Sequence, residues 1–161
     1  MPKEIKKELS LYVYQKNELS TEVQSLLQNA HAAAENARAP YSEFKVGAAL
    51  MLEDGTVVLG NNQENAAYPS GLCAERVAFF SAKANNPKAR VLKVAIVALK
   101  MDADENNIPA PCGSCRQVMS EYEVEQESDI AVYLTGGKGK VLMSKSIDNL
   151  LPFKFSVEQL S

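Results

Sequence analysis

Three thiols set the tightest limit on how this chain can fold. Cys112 and Cys115 stand in Pro111-Cys112-Gly113-Ser114-Cys115, and Cys73 precedes them at the end of a loop. Both places read as the start of a helix. Two thiols in Cys-x-x-Cys spacing at a helix start can face one point, and the free N–H groups and dipole there favour thiolates. Alone, that pair is a redox motif, half a zinc finger or an accident. The third thiol narrows the choice: three thiolates on two helix starts make a three-ligand zinc site, provided the two helices begin side by side. A structural zinc site takes four protein ligands, whereas a catalytic one leaves a position for water. The chain's one histidine, His31, lies near the edge of the apolar face of the first predicted helix and reads as a surface or boundary residue.

Glu75 gives the thiols a chemical partner. It stands two residues after Cys73, on the first turn of the same predicted helix, where a carboxylate can reach water on a metal without ligating it. Zinc lowers the pKa of bound water, and a carboxylate so placed can carry the proton to a substrate. Without the cysteines, Glu75 would read as an ordinary acidic residue favoured by the helix dipole. Arg76 follows. Zinc with three thiolates carries net negative charge, and a guanidinium donating to sulfur offsets it. Arg116 is open between that role and the surface.

Composition excludes several classes. The chain has 161 residues, 46% hydrophobic and 23% charged, enough for one domain with a real core. No apolar run approaches membrane-spanning length. The charged start Met1-Pro2-Lys3-Glu4-Ile5-Lys6-Lys7-Glu8 has no apolar segment behind it, so no secretion signal is expected and the expected location is the cytoplasm. Three cysteines do not describe a disulfide framework. A net charge of -3 argues against a nucleic-acid partner, which would select a basic face. The acidic run Glu121, Glu123, Glu125, Glu127 and Asp129 reads as a solvated helix end and loop.

Residues 9–15 have strand character and suit a short arm packed on the body or on a neighbour. Thr21 and Gln24 fit a capping box, followed by Val23, Leu26, Leu27, Ala30, Ala34 and Ala37 at helical spacing, with Pro40 as the stop. Residues 46–52 predict a strand buried on both faces, and 56–60 its hairpin partner after Glu53-Asp54-Gly55. Residues 61–72 predict a loop, and helices follow from Cys73 and from Cys112. Residues 91–99 predict a strand, 101–111 a polar loop closed by prolines. Residues 130–134 and 141–143 predict short strands joined by Gly136-Gly137-Lys138-Gly139, before a short helical segment over 147–151. Helices interspersed among strands predict a sheet covered by helices, an α/β layered domain.

With these residues in view, the chain resembles the small cytidine deaminases. The signature reads Cys73-Ala74-Glu75-Arg76 and Pro111-Cys112-Gly113-Ser114-Cys115-Arg116-Gln117. It is the all-cysteine form of the zinc-deaminase pattern, in which the glutamate is not a ligand. Three further blocks agree: Pro40-Tyr41-Ser42-Glu43-Phe44-Lys45-Val46-Gly47-Ala48-Ala49, Gly60-Asn61-Asn62-Gln63-Glu64-Asn65-Ala66-Ala67-Tyr68-Pro69, and Leu150-Leu151-Pro152-Phe153-Lys154-Phe155. The resemblance runs from about Thr21 to Leu160 and leaves residues 1–18 as an N-terminal extension of a single domain. Asn61 and Gln63 depart from the family pattern.

The resemblance implies a three-layer α/β/α fold with a central mixed sheet, and one Zn2+ per chain on Cys73, Cys112 and Cys115. It also implies catalysis through Glu75. Asn62 and Glu64 would hold the ribose hydroxyls, Phe44 would pack on the pyrimidine, and the backbone around Ala66, Ala74 and Cys112 would meet the base. Phe155 would cover the ring in a neighbouring subunit of a homotetramer; Tyr68 is open between site wall and subunit contact. The implied reaction is hydrolytic deamination of free cytidine or deoxycytidine in pyrimidine salvage. Deamination of a modified nucleoside such as blasticidin S, editing of nucleic acid, and a structural zinc domain are the competing expectations.

Overall fold

The structure is a computed structural model and describes residues 2–160. In chain order the main elements are β1 (Tyr12–Tyr14), α1 (Thr21–Glu35), β2 (Val46–Leu52), β3 (Val57–Asn61), α2 (Ala74–Asn85), β4 (Val91–Ala103), α3 (Gly113–Glu125), β5 (Ala131–Gly139) and β6 (Val141–Ser144). The strands form one six-stranded sheet in the order β1-β6-β5-β4-β2-β3. Only β4 and β5 pair in parallel; the other neighbours are antiparallel, so the sheet is mixed.

Helix periodicity decides which sheet face each helix covers. Val23, Leu26, Leu27 and Ala30 of α1 pack on Ala49, Ala95 and Val97 on one face. Ala74, Ala78, Phe79 and Ala82 of α2, with Cys115 and Met119 of α3, pack on Ala48, Leu50, Val94 and Ile96 on the other. The alternation along β2 and β4 therefore feeds two cores, which is why residues 46–52 carry an unbroken apolar run. This is the expected three-layer arrangement. Phe79 stacks on Tyr122 at 5.8 Å and joins α2 to α3. Gly60 lets α2 lie close on β3, since a Cβ there would meet the backbone of Ala74 and Ala78.

Several local expectations change. Helix α1 is capped by Ser20, whose hydroxyl accepts from the Val23 N–H at 3.3 Å, and Gln24 instead donates to the Leu19 carbonyl. It ends at Glu35, ahead of Pro40. Strand β4 runs on to Ala103, into the expected loop. Gly136 and Gly137 lie inside β5 rather than in a turn. The register of β4 and β5 shifts between Ala98 and Asp102, and the strands close so tightly there that a Cβ at Gly136 would strike the Met101 carbonyl.

The acidic run is also not uniformly solvated. Glu123 is buried, and its carboxylate accepts from the backbone N–H groups of Ile130 at 2.8 Å, Ile147 at 2.8 Å and Asp148 at 2.9 Å. It thereby ties the end of α3 to the entry of β5 and to the C-terminal segment. Glu123→Ala strands these donors, and since each buried unsatisfied group costs about 1–3 kcal/mol, a loss of roughly 3 kcal/mol is expected in urea unfolding. A loss under about 0.5 kcal/mol, the size of a neutral surface change, would contradict this role.

Candidate metal centre

The connection β4-α3-β5 places the start of α3 at the carboxyl end of β4, the edge where open α/β sheets present ligands. Cys73 caps α2 and Cys112 caps α3, both in extended backbone, and Cys115 lies on the first turn of α3. The three Sγ atoms all lie within 4.8 Å of one another. Cys73 and Cys112 are 3.9 Å apart, and Cys112 and Cys115 3.4 Å. Tetrahedral zinc with arms of about 2.3 Å places sulfurs about 3.8 Å apart, so the donor set fits zinc in both chemistry and spacing.

Electrostatics favour charge on this cluster. The Cys73 thiol is pulled down to about 5, chiefly by a hydrogen bond from Cys115, with Arg76 and Cys112 adding to it. The same contact, with burial, pushes the Cys115 thiol up. Arg76 Nη2 sits 3.9 Å from Cys73 Sγ, which gives the cluster a cation against its sulfur charge. Arg116 goes elsewhere: it donates to the carbonyls of Pro111 at 2.7 Å and Leu150 at 2.9 Å and ties α3 to the C-terminal block.

Glu75 follows Ala74, the first residue of α2, and is 4% exposed. Burial raises its carboxyl to about 7. It lines a cavity of about 300 Å³ together with Phe44, Asn62, Glu64, Cys73 and Cys112. Four residues expected at the site from three separate segments therefore share one cavity with two of the thiols. Ala74 is fully buried at the base of α2. Ala66 lines a larger neighbouring cavity of about 710 Å³, with Tyr41, Tyr68 and Arg76.

Loop geometry is set by Asn62 and Glu64 themselves. Asn62 accepts from the Val46 N–H at 2.8 Å and donates to the Phe44 carbonyl at 2.9 Å. Glu64 accepts from the Tyr41 N–H at 2.9 Å, from the Ser42 N–H at 3.3 Å and from the Ser42 hydroxyl. Each retains acceptor or donor capacity toward the cavity. Asn61, which departs from the family pattern, donates to the Ala33 carbonyl at 3.0 Å and anchors the loop on α1. His31 lies on α1, across the sheet from the thiols, and pairs with Glu35 at 3.7 Å. Phe155 is exposed and outside the cavity, its carbonyl held by Gln117 at 2.9 Å. Met101, Ile108, Pro109 and Ala110 also line the cavity. Their polar, proline-bounded segment gave no sequence signal beyond its placement before Cys112.

The sequence profile of the cytidine and deoxycytidylate deaminase zinc-binding region matches residues 20–128, which include all three thiols and Glu75. The chain belongs to this family. Among curated relatives, the cytidine deaminase of Sporosarcina psychrophila is 41% identical over 140 residues, 87% of this chain and 96% of that protein. That of Halalkalibacterium halodurans is 39% identical over 138 residues, 86% of this chain and 97% of the other. A crystal structure of cytidine deaminase from Burkholderia pseudomallei superposes with a TM-score of 0.70 at 43% identity, covering 81% of this chain and 97% of that one. The family fold is thus the fold found here, and the thiol cluster, which could hold a metal ion, lies within the matched zinc-binding region. Among the described residues no helix is long and apolar enough to cross a membrane.

Proposed function

We propose that this chain is a cytidine deaminase that hydrolyses free cytidine, and deoxycytidine with it, to the uracil nucleoside and ammonia. The observation that carries the reading is the meeting of a three-sulfur cluster, a buried carboxyl and a ribose-suited Asn/Glu pair at one cavity. Cys73, Cys112 and Cys115 hold one zinc per chain. Bound zinc supplies the Lewis acidity that makes water a nucleophile near neutral pH.

Every other task falls to the chain. Glu75 takes the proton of the attacking water and delivers it to ring nitrogen 3 as oxygen bonds to carbon 4. It then takes the remaining proton from the oxygen now on carbon 4 and carries it to the amino group, so that the carbon–nitrogen bond breaks, the carbonyl forms and ammonia is released. A carboxyl buried at the cavity wall and raised toward neutral suits this two-way traffic. Asn62 and Glu64 grip the ribose hydroxyls, supported by the backbone contacts that fix both side chains. Phe44 packs on the pyrimidine, and the backbone of Ala66, Ala74 and Cys112 reads the base edge. Arg76, 3.9 Å from the Cys73 sulfur, would offset the negative charge that three thiolates bring to the metal.

Phe155 closes the site of a neighbouring copy in a homotetramer; its exposure and its absence from the cavity of its own chain support that assignment. The exposed Tyr68 lines the larger cavity beside the site and stays open between site wall and subunit contact. The enzyme acts in the cytoplasm in pyrimidine salvage. A purely structural zinc site is disfavoured because the cluster offers three ligands among the described residues. Cytidine, deoxycytidine and blasticidin S, assayed for ammonia release with zinc-loaded protein, test the substrate. Turnover of the first two is expected, and turnover of blasticidin S alone would overturn the assignment.

A further inference from the structure

The N-terminal extension lies outside the family match, which begins at residue 20. Residues 2–10 are all exposed, yet they follow a defined path. Tyr12–Tyr14 pair with β6 at the sheet edge, and the chain before them crosses the C-terminal segment. The Ser10 N–H donates to Asn149 Oδ1 at 2.9 Å, and Asn149 Nδ2 donates back to the Ser10 carbonyl at 2.8 Å. Lys7 pairs with Asp148 at 3.4 Å, and its ammonium lies 5.7 Å from the Phe153 ring centre. Asp148 also pairs with Lys154 at 3.1 Å.

These contacts converge on a strained piece of backbone. Phe153 has φ +55°, a left-handed conformation that a bulky L-residue holds only when its surroundings impose it. The residue is 67% exposed, so core packing does not impose that conformation. Lys7, Asp148 and Lys154 meet this segment on one side, and on the other Gln117 holds the Phe155 carbonyl and Arg116 the Leu150 carbonyl. Between the arm and the body lies a cavity of about 390 Å³ lined by Lys7, Ser10, Lys145 and Asn149. Leu11 packs against the core shared by α2 and α3, so the arm is anchored there, while residues 2–10 are attached to the body at discrete points.

We propose that residues 2–14 are a strap that holds residues 148–155 in the conformation from which Phe155 is presented, so that Lys7 and Asn149 are positioning residues for nucleoside binding. A simpler role, covering the open edge of β6, would need only the pairing of β1. It would not need the Asn149 amide or the Lys7 contacts beyond it. The proposal rests on the role given above to Phe155, and the test separates the two.

Full-length, zinc-loaded protein is compared with Lys7→Ala, Asn149→Ala, their combination and Lys7→Arg. Asn149 Nδ2 also donates to Ser144 Oγ at 2.8 Å, so the arm's own effect is read from Lys7→Ala, in which amide exchange in residues 148–155 is expected to speed up roughly tenfold. KM for cytidine should rise severalfold with kcat and zinc content unchanged, and Lys7→Arg should restore both. Faster exchange in residues 2–14 without any change in 148–155 or in KM would reduce the arm to an edge cover and overturn the strap. Undiminished protection in the combined variant would overturn it too, because the named contacts would then not hold the arm. If the parent protein fails to turn over cytidine, the proposed activity fails, and exchange in 148–155 still decides the strap. If exchange in that segment rises while KM stays level, the strap does not act on substrate and the positioning role is lost.

Discussion

Glu75→Ala is expected to lower kcat for cytidine by about 10²–10⁴-fold, the range that a positioned acid–base group contributes, while zinc content and fold persist. The side chain sits against the thiol cluster, not among its donors, so removing it leaves the three sulfurs in place. It is also nearly fully buried, so bulk water is a poor substitute carrier. Glu75→Gln is the sharper variant. It keeps the volume and removes the ability to accept a proton, and it should be as inactive as alanine. Steady-state turnover measured beside metal content checks this. A glutamine variant with near-parental turnover would remove Glu75 from the reaction.

The second large effect concerns the metal. Cys115→Ala is expected to weaken zinc binding by well over the ~10–100-fold that follows loss of a mere hydrogen-bond partner of a ligand. Cytidine turnover should fall with it. Cys115 is fully buried in the core that α2 and α3 share, and the three sulfurs sit where both helices begin. Zinc held by these sulfurs would link two elements that no strand pairing joins, and it should stabilise the folded chain. At a thousandfold excess over its dissociation constant the linkage is about 4 kcal/mol. Added zinc should thus raise the thermal midpoint of the parent chain and leave that of Cys115→Ala unmoved. Equal midpoint shifts in both proteins would place the metal elsewhere.

Much of the site was legible because its residues are tied to local backbone signals. Cys73 and Cys112 stand at the residues that cap two helices, and helix starts are among the clearer boundaries in a sequence. Residues 46–52 were legible as a doubly buried strand because no polar residue interrupts them. Glu123 was not, since its neighbours in the run are indeed solvated and only the return of residues 130 and 147–148 to its side brings buried N–H donors to it. Gly136-Gly137 has the composition of a turn; its actual role, close approach to β4, depends on a strand partner far away in sequence. Asn62 and Glu64 were readable as site residues only through family resemblance. Their bonds to the 41–46 backbone, which shape the loop, follow from tertiary proximity that no local pattern encodes. The course of the N-terminal arm depends in the same way on contacts with the far end of the chain.

The most direct measurement is conversion of cytidine to uridine by metal-stripped protein titrated with zinc. The expected result is no turnover without metal, a linear rise as zinc is added, and a break at one zinc per chain, with one ammonia released per uridine formed. Full turnover in the stripped protein, or one tightly held zinc per chain with no uridine produced, would contradict it.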